Sequence, residues 1–142
     1  MRQNRDHRWM SKVEQRARAV PKCASAKVAA ILVVKNREIS TGRNSYKTHP
    51  LAAKFGKNDE AICIHAELEA ILKADKKIEG PDFGQATLYV CRVKSKSQDE
   101  RNTLIWGNSC PCEGCTGAIA YYGVGRVVYS LDGEQKNFEV IQ

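Results

Sequence analysis

Two short segments constrain this chain more than any other feature. Residues 62–71 read ICIHAELEAI and residues 109–118 read SCPCEGCTGA. The first offers His65 with Glu67 two residues on; the second offers Cys112 and Cys115 behind Pro111. Three nitrogen and sulfur donors are what a catalytic zinc site takes from a protein, with a fourth position left for water. A carboxylate close to such a site without being a ligand is placed to take a proton from an activated water and pass it to a substrate nitrogen. The fold must therefore bring two helix starts, separated by a strand, to one point.

The rest of the chain supplies that framework. Over 5–20 the apolar residues Trp9, Met10, Val13, Ala17 and Val20 fall on one helical stripe, with Arg5, Arg8, Lys12 and Arg16 on an adjacent one, and Pro21 ends the helix. Residues 27–35, KVAAILVVK, are β-branched, apolar and too short for a typical helix, so they predict a buried strand. Asn36-Arg37 predicts a turn and 38–42 a returning strand, making a hairpin. A long polar loop over 43–60 follows, of a length usually tied to function. Helix is expected over 64–77 and strand over 86–94, then a second long connection over 95–108. Pro111 at a first helical position opens a helix that runs to Tyr122 and stops at Gly123. Strands over 126–131 and 138–141 close the chain. Only six residues separate these two, too few for a parallel crossover, so as neighbours they are antiparallel, and Asp132-Gly133 suits their turn. The expected fold is α/β, a three-layer α/β/α sandwich around a five-stranded mixed sheet whose fourth and fifth strands form an antiparallel hairpin. Both ligand groups then lie at helix N-termini, where the partial positive charge favours thiolate and a metal-held hydroxide.

At 142 residues the chain reads as a single domain, with a basic N-terminal helix over 1–22 and a catalytic core over 23–142. A mean hydropathy of −0.48 and no long apolar run argue against a membrane span, and no apolar stretch follows the basic N-terminus as a secretory signal would require. The expected location is cytoplasmic. Six cysteines in a reducing compartment read as ligands or buried thiols: Cys112 and Cys115 as ligands, Cys23, Cys63 and Cys91 as core. Cys110 is either a competitor for the metal or a bystander. The net charge of +7 is concentrated in 1–22, which holds seven basic and two acidic residues. Such a helix suits nucleic acid or phosphorylated ligands, and equally a solvated face.

An H-x-E followed by P-C-x-x-C is the pattern of zinc nucleobase deaminases. With that pattern, the β-β-α-β-α-β order and Gly42-Arg43-Asn44 at the end of the second strand, the chain resembles the cytidine deaminase superfamily over 27–142. The resemblance implies Zn2+ held by His65, Cys112 and Cys115, Glu67 as proton shuttle, and Asn44 at the sugar of the substrate. The histidine ligand is similar to deoxycytidylate deaminases and tRNA adenosine deaminases; the short C-terminal hairpin looks like the free-nucleoside branch. The implied activity is hydrolytic deamination of a free cytosine nucleoside or nucleotide, dCMP slightly favoured. The alternatives are editing of a base in RNA or single-stranded DNA, which the basic stripe suggests, and a non-catalytic zinc-stabilised binding module, which would leave Glu67 without a role. Ala66, between histidine and glutamate, joins the expected substrate-binding set. Arg43, Lys47 and His49 either bind a 5′-phosphate or are simply solvated. Tyr46 and Trp106 either stack on a base or anchor their loops. Asn44 either meets the sugar or caps its strand. Glu113 either sets specificity or favours the helix start. A homo-oligomer is implied as well, with the apolar face of the first helix as candidate surface.

Overall fold

The computed structural model describes residues 2–20, 27–44 and 65–142. Helix α1 spans Arg2–Arg18, strands β1 and β2 span Lys27–Val34 and Arg37–Arg43, and helix α2 spans Ala66–Asp75. A 3-10 turn over Gly80–Gln85 leads into β3, Ala86–Ser95, and β4, Leu104–Gly107. Helix α3 is Glu113–Tyr122, followed by β5, Arg126–Ser130, and β6, Phe138–Ile141.

Alternation along the strands explains the layers. In β1, Ala30, Leu32 and Val34 face one way, into a core with Ala66, Ala70 and Ile71 of α2 and Leu88 and Val90 of β3. Ala29, Ile31 and Val33 face the other way, onto Met10, Val13 and Ala17 of α1. A strand buried on both faces reads as the continuous apolar run seen in the sequence. Helix α1 covers one face and α2 and α3 cover the other, which is the expected three-layer sandwich.

Among the described residues the sheet has six strands, in the order β2-β1-β3-β5-β6 with β4 also paired to β3. The extra strand corrects the expectation of five. Residues 104–107, expected to end a connection, pair antiparallel with Arg92–Ser95 because β5 pairs β3 only as far as Val90 and leaves that edge open. The β5–β6 pair is antiparallel, as the short connection requires, and β3–β5 is parallel. The β1–β2 turn falls one residue earlier than expected: Lys35 and Asn36 both have positive φ, 53° and 62°, the backbone of a tight hairpin turn.

The apolar face of α1 is not a surface for a second copy. Met10, Val13, Ala17 and Val20 are all buried against the chain's own sheet. Nor is the basic stripe wholly exposed to solvent. Arg16 donates to both carboxylate oxygens of Glu38 at 2.7 Å, and Lys12 reaches the same carboxylate at 3.2 Å.

Candidate metal centre

Both ligand-bearing helices begin at the same end of the sheet, and each has a ligand at its N-cap. His65 caps α2 with extended backbone and no side-chain hydrogen bond to the helix. Ser, Thr, Asp or Asn at this position would stabilise the helix by about 1 kcal/mol, so the histidine is there for another reason. Cys112 caps α3, its sulfur accepting the Cys115 N–H at 3.4 Å. Pro111 therefore precedes the cap and is not the first helical residue, because the cysteine occupies the capping position. At the other end Gly123, at φ 77°, closes α3 with N–H bonds to Ile119 and Ala120 carbonyls, as expected of a left-handed C-terminal glycine. Gly42 brings β2 against the start of α2: a Cβ there would lie 2.2 Å from the Ala66 carbonyl oxygen, so only glycine permits the approach.

The three expected ligands converge. His65 Nδ1 lies 3.5 Å from Cys112 Sγ and 3.4 Å from Cys115 Sγ, and all three donor atoms fall within 4.8 Å of one another. A tetrahedral zinc with ordinary Zn–N and Zn–S bonds would separate nitrogen from sulfur by about 3.6 Å, so the spacing fits. Two thiols and an imidazole select a soft or borderline ion over magnesium or calcium. Among the described residues this is the one His/Cys/Asp/Glu cluster with such geometry, and Cys110 is not in it. Cys110 is exposed and lines the same cleft, the bystander of the two readings. Cys91 is buried, as expected of a core thiol, and burial pushes its pKa up to about 12.

The protonation pattern suits a cation. Hydrogen bonds from the Cys115 thiol and His65 hold the Cys112 thiol far below its ordinary range, while the thiolate partner and burial raise Cys115. A dication bound by both sulfurs would favour the thiolate form of each. His65 is raised, chiefly by its hydrogen bond to Cys112. Glu67 is 6 % exposed and lies against Cys115. Burial raises its pKa, and hydrogen bonds from its own backbone and from Cys115 oppose this.

These groups open on a cleft of about 350 Å³ lined by Val28, Asn44, His65, Ala66, Glu67 and Cys112, with Arg92, Asn108, Ser109 and Cys110 completing it. Asn44 and Ala66 both line this cleft. Asn44 also realises its capping alternative: its Oδ1 accepts the Val28 N–H at 2.9 Å and its own N–H reaches the Val28 carbonyl at 3.1 Å. Arg43 is not in the cleft. It is exposed and borders a separate cavity with Arg16, Glu69 and Lys73, since alternation along β2 turns it away from Asn44. Trp106 is not there either. It is 3 % exposed on the α1 side of the sheet, cross-strand from Val93, and its indole N–H donates to Glu14 at 2.6 Å, so it anchors the core and stacks on no substrate. Lys47, His49, Tyr46, Cys23 and Cys63 lie outside the described residues.

Sequence reasoning missed two groups beside the site. Arg92 was overlooked although the alternation of β3 places it on the face of Leu88 and Val90. Ser109 and Ser130 form a buried latch beneath the ligand loop: their hydroxyls lie 2.9 Å apart, Ser109 Oγ accepts the Ser130 N–H and Ser130 Oγ donates to the Gly107 carbonyl. That latch fixes the segment carrying Cys112 to the end of β5.

Known proteins resemble this chain in sequence and in fold. Residues 3–131 match the cytidine and deoxycytidylate deaminase zinc-binding region, a span that takes in all of α1 but its first residue. The deoxycytidylate deaminase of Schizosaccharomyces pombe is 27% identical over 120 residues, covering 75% of this chain and 31% of that protein. The chain spans about a third of the length of the curated relatives it matches. The dCMP deaminase of cyanophage S-TIM5 superposes with a TM-score of 0.56 at 25% identity, covering 89% of this chain and 82% of that one. A cytidine deaminase from Burkholderia pseudomallei shares the fold, with a TM-score of 0.60 at 16% identity over 95% of this chain and 90% of that one. A match over nearly the whole chain, joined to three convergent zinc donors and a buried glutamate, places this protein in the cytidine and deoxycytidylate deaminase zinc-binding family.

Proposed function

We propose that this chain hydrolytically deaminates a free cytosine nucleoside or nucleotide, with dCMP preferred. The observation that carries the reading is the position of Glu67, buried beside the three donors and lining the same cleft. His65, Cys112 and Cys115 would hold Zn2+, which supplies Lewis acidity that makes a water nucleophilic near neutral pH. Glu67 takes a proton from the attacking water and delivers it to N3 of the ring as C4 is attacked. It then takes the proton of the new C4 hydroxyl and passes it to the amine on C4. The C4–N bond breaks, C4 becomes a carbonyl, and one water has been exchanged for one ammonia. A glutamate raised by burial and drawn down by a neighbouring dication is suited to accepting and returning a proton.

The preference for dCMP draws support from the fission yeast and phage relatives, both deoxycytidylate deaminases. The polynucleotide alternative has less support, because Lys12 and Arg16 of the basic stripe are engaged with Glu38. Ammonia release from cytidine, deoxycytidine, CMP, dCMP and a cytosine-containing oligonucleotide, measured side by side, tests the reading. A free cytosine compound should win, with dCMP ahead of deoxycytidine. Turnover of the oligonucleotide alone would overturn it.

A further inference from the structure

We infer that Arg92 is the residue that recognises the 5′-phosphate of the substrate, and so sets the preference for a mononucleotide over a nucleoside; this rests on the deaminase reading of the cleft.

The placement begins with strand alternation. Ala86, Leu88 and Val90 of β3 lie in the apolar core beneath α2 and α3, and Arg92 continues the same column. A guanidinium on the inner face of a sheet is unfavourable unless something pairs with its charge. Among the described residues lining the cleft, Arg92 is the one lysine or arginine. It sits there with Glu67, His65 and Cys112, cross-strand from Val28 on one side and Gly107 on the other.

Its charge is not neutralised by any described neighbour. Arg92 Nε is buried and makes no hydrogen bond among the described residues, and no described carboxylate lies within 4.0 Å of its guanidinium. The comparison with Arg126 is informative. Arg126 Nε is equally unpartnered, but its two terminal nitrogens both bond Asp6, so that arginine is structural. Asp132, which feels the charge of Arg92, is already bound by Lys94 at 2.9 Å and by the Asn108 N–H at 3.0 Å.

The side chain is also held in place. A Cβ on Gly107 would stand 3.1–3.3 Å from Arg92 Cδ, Cγ and Nε, so the arginine stem lies directly over bare glycine backbone. The Arg92 backbone N–H donates to Ser130 Oγ at 3.1 Å, tying the strand to the latch beneath the ligand loop. A pre-positioned guanidinium that lines the cleft, with its Nε bonded to no described residue, matches a phosphate monoester. Of the three residues expected from the sequence to do this, Arg43 borders another cavity, and Lys47 and His49 lie outside the described residues.

The test compares wild type, Arg92→Gln and Arg92→Lys, each zinc-loaded. For Arg92→Gln the ratio of kcat/KM on dCMP to kcat/KM on deoxycytidine should fall at least about tenfold, the scale of a lost charge-assisted hydrogen bond. Arg92→Lys keeps the charge without the fork, so it should fall less; it carries the same test should the glutamine variant not fold. Calorimetric binding of dUMP should weaken with that ratio, and binding of deoxyuridine much less. An unchanged ratio, or equal losses on both compounds, would overturn the assignment to Arg92 while leaving the deaminase reading intact. Wild-type protein that deaminates neither compound would overturn both.

Discussion

Replacing Glu67 with glutamine is expected to lower turnover at least about a thousandfold while leaving zinc content at one per chain. The amide has the size and shape of the carboxylate but cannot carry a proton between water, ring nitrogen and leaving amine. The fold should tolerate it, because a buried carboxyl is exchanged for a neutral group of equal volume at a position 6 % exposed. The metal should stay, because the convergent donors are His65, Cys112 and Cys115 and not Glu67. Ammonia release and metal analysis on the same preparation separate the two effects. Activity near wild type would refute the proton-shuttle role, and loss of zinc with activity would make Glu67 a ligand.

The largest effect on stability is expected far from the cleft. Asp6 is 2 % exposed, and its carboxylate accepts the Tyr89 hydroxyl at 2.6 Å and two Arg126 N–H groups at 2.8 and 2.5 Å. These contacts tie α1 to β3 and β5. Asp6→Ala would strand the Arg126 guanidinium and the Tyr89 hydroxyl in the interior. Breaking a buried pair by removing one partner costs about 3–5 kcal/mol, far more than the pair contributes over a well-packed apolar replacement. Urea denaturation should show a loss of that size for Asp6→Ala and a smaller one for Asp6→Asn, which keeps an acceptor. A change below about 1 kcal/mol would show that the network is not held as described. Because α1 packs on the face opposite the cleft, the variant that remains folded should still bind zinc.

What could be read from the sequence follows from the range over which each signal acts. The donors of the metal centre, the two-faced burial of β1 and the antiparallel closing hairpin depend on local spacing, and the structure has all three. The fourth strand, Leu104–Gly107, is four residues long with no polar alternation, and only the open edge of β3 makes it a strand. Trp106 in a long connection looks like a candidate for stacking on a base, until pairing to Val93 fixes which face of the sheet it joins. Asp6 carried a local signal that the basic composition of α1 concealed. It lies at the head of the series Asp6, Met10, Val13, Ala17, Val20, whose spacings of four and three define the buried stripe. An acid in that series is an inward-facing charge, and its partner had to come from Arg126, 120 residues away. Arg92 is the same lesson on a strand: a cation one step beyond Leu88 and Val90 belongs to the inner face.

The most direct measurement is ammonia release from dCMP by protein stripped of metal and then given one equivalent of Zn2+. The stripped protein should be inactive, and activity should return in proportion to zinc bound, saturating at one ion per chain, with dUMP as product. Ammonia release that persists without metal, or a zinc-replete folded protein that releases none from any cytosine nucleoside or nucleotide, would contradict the assignment of this site.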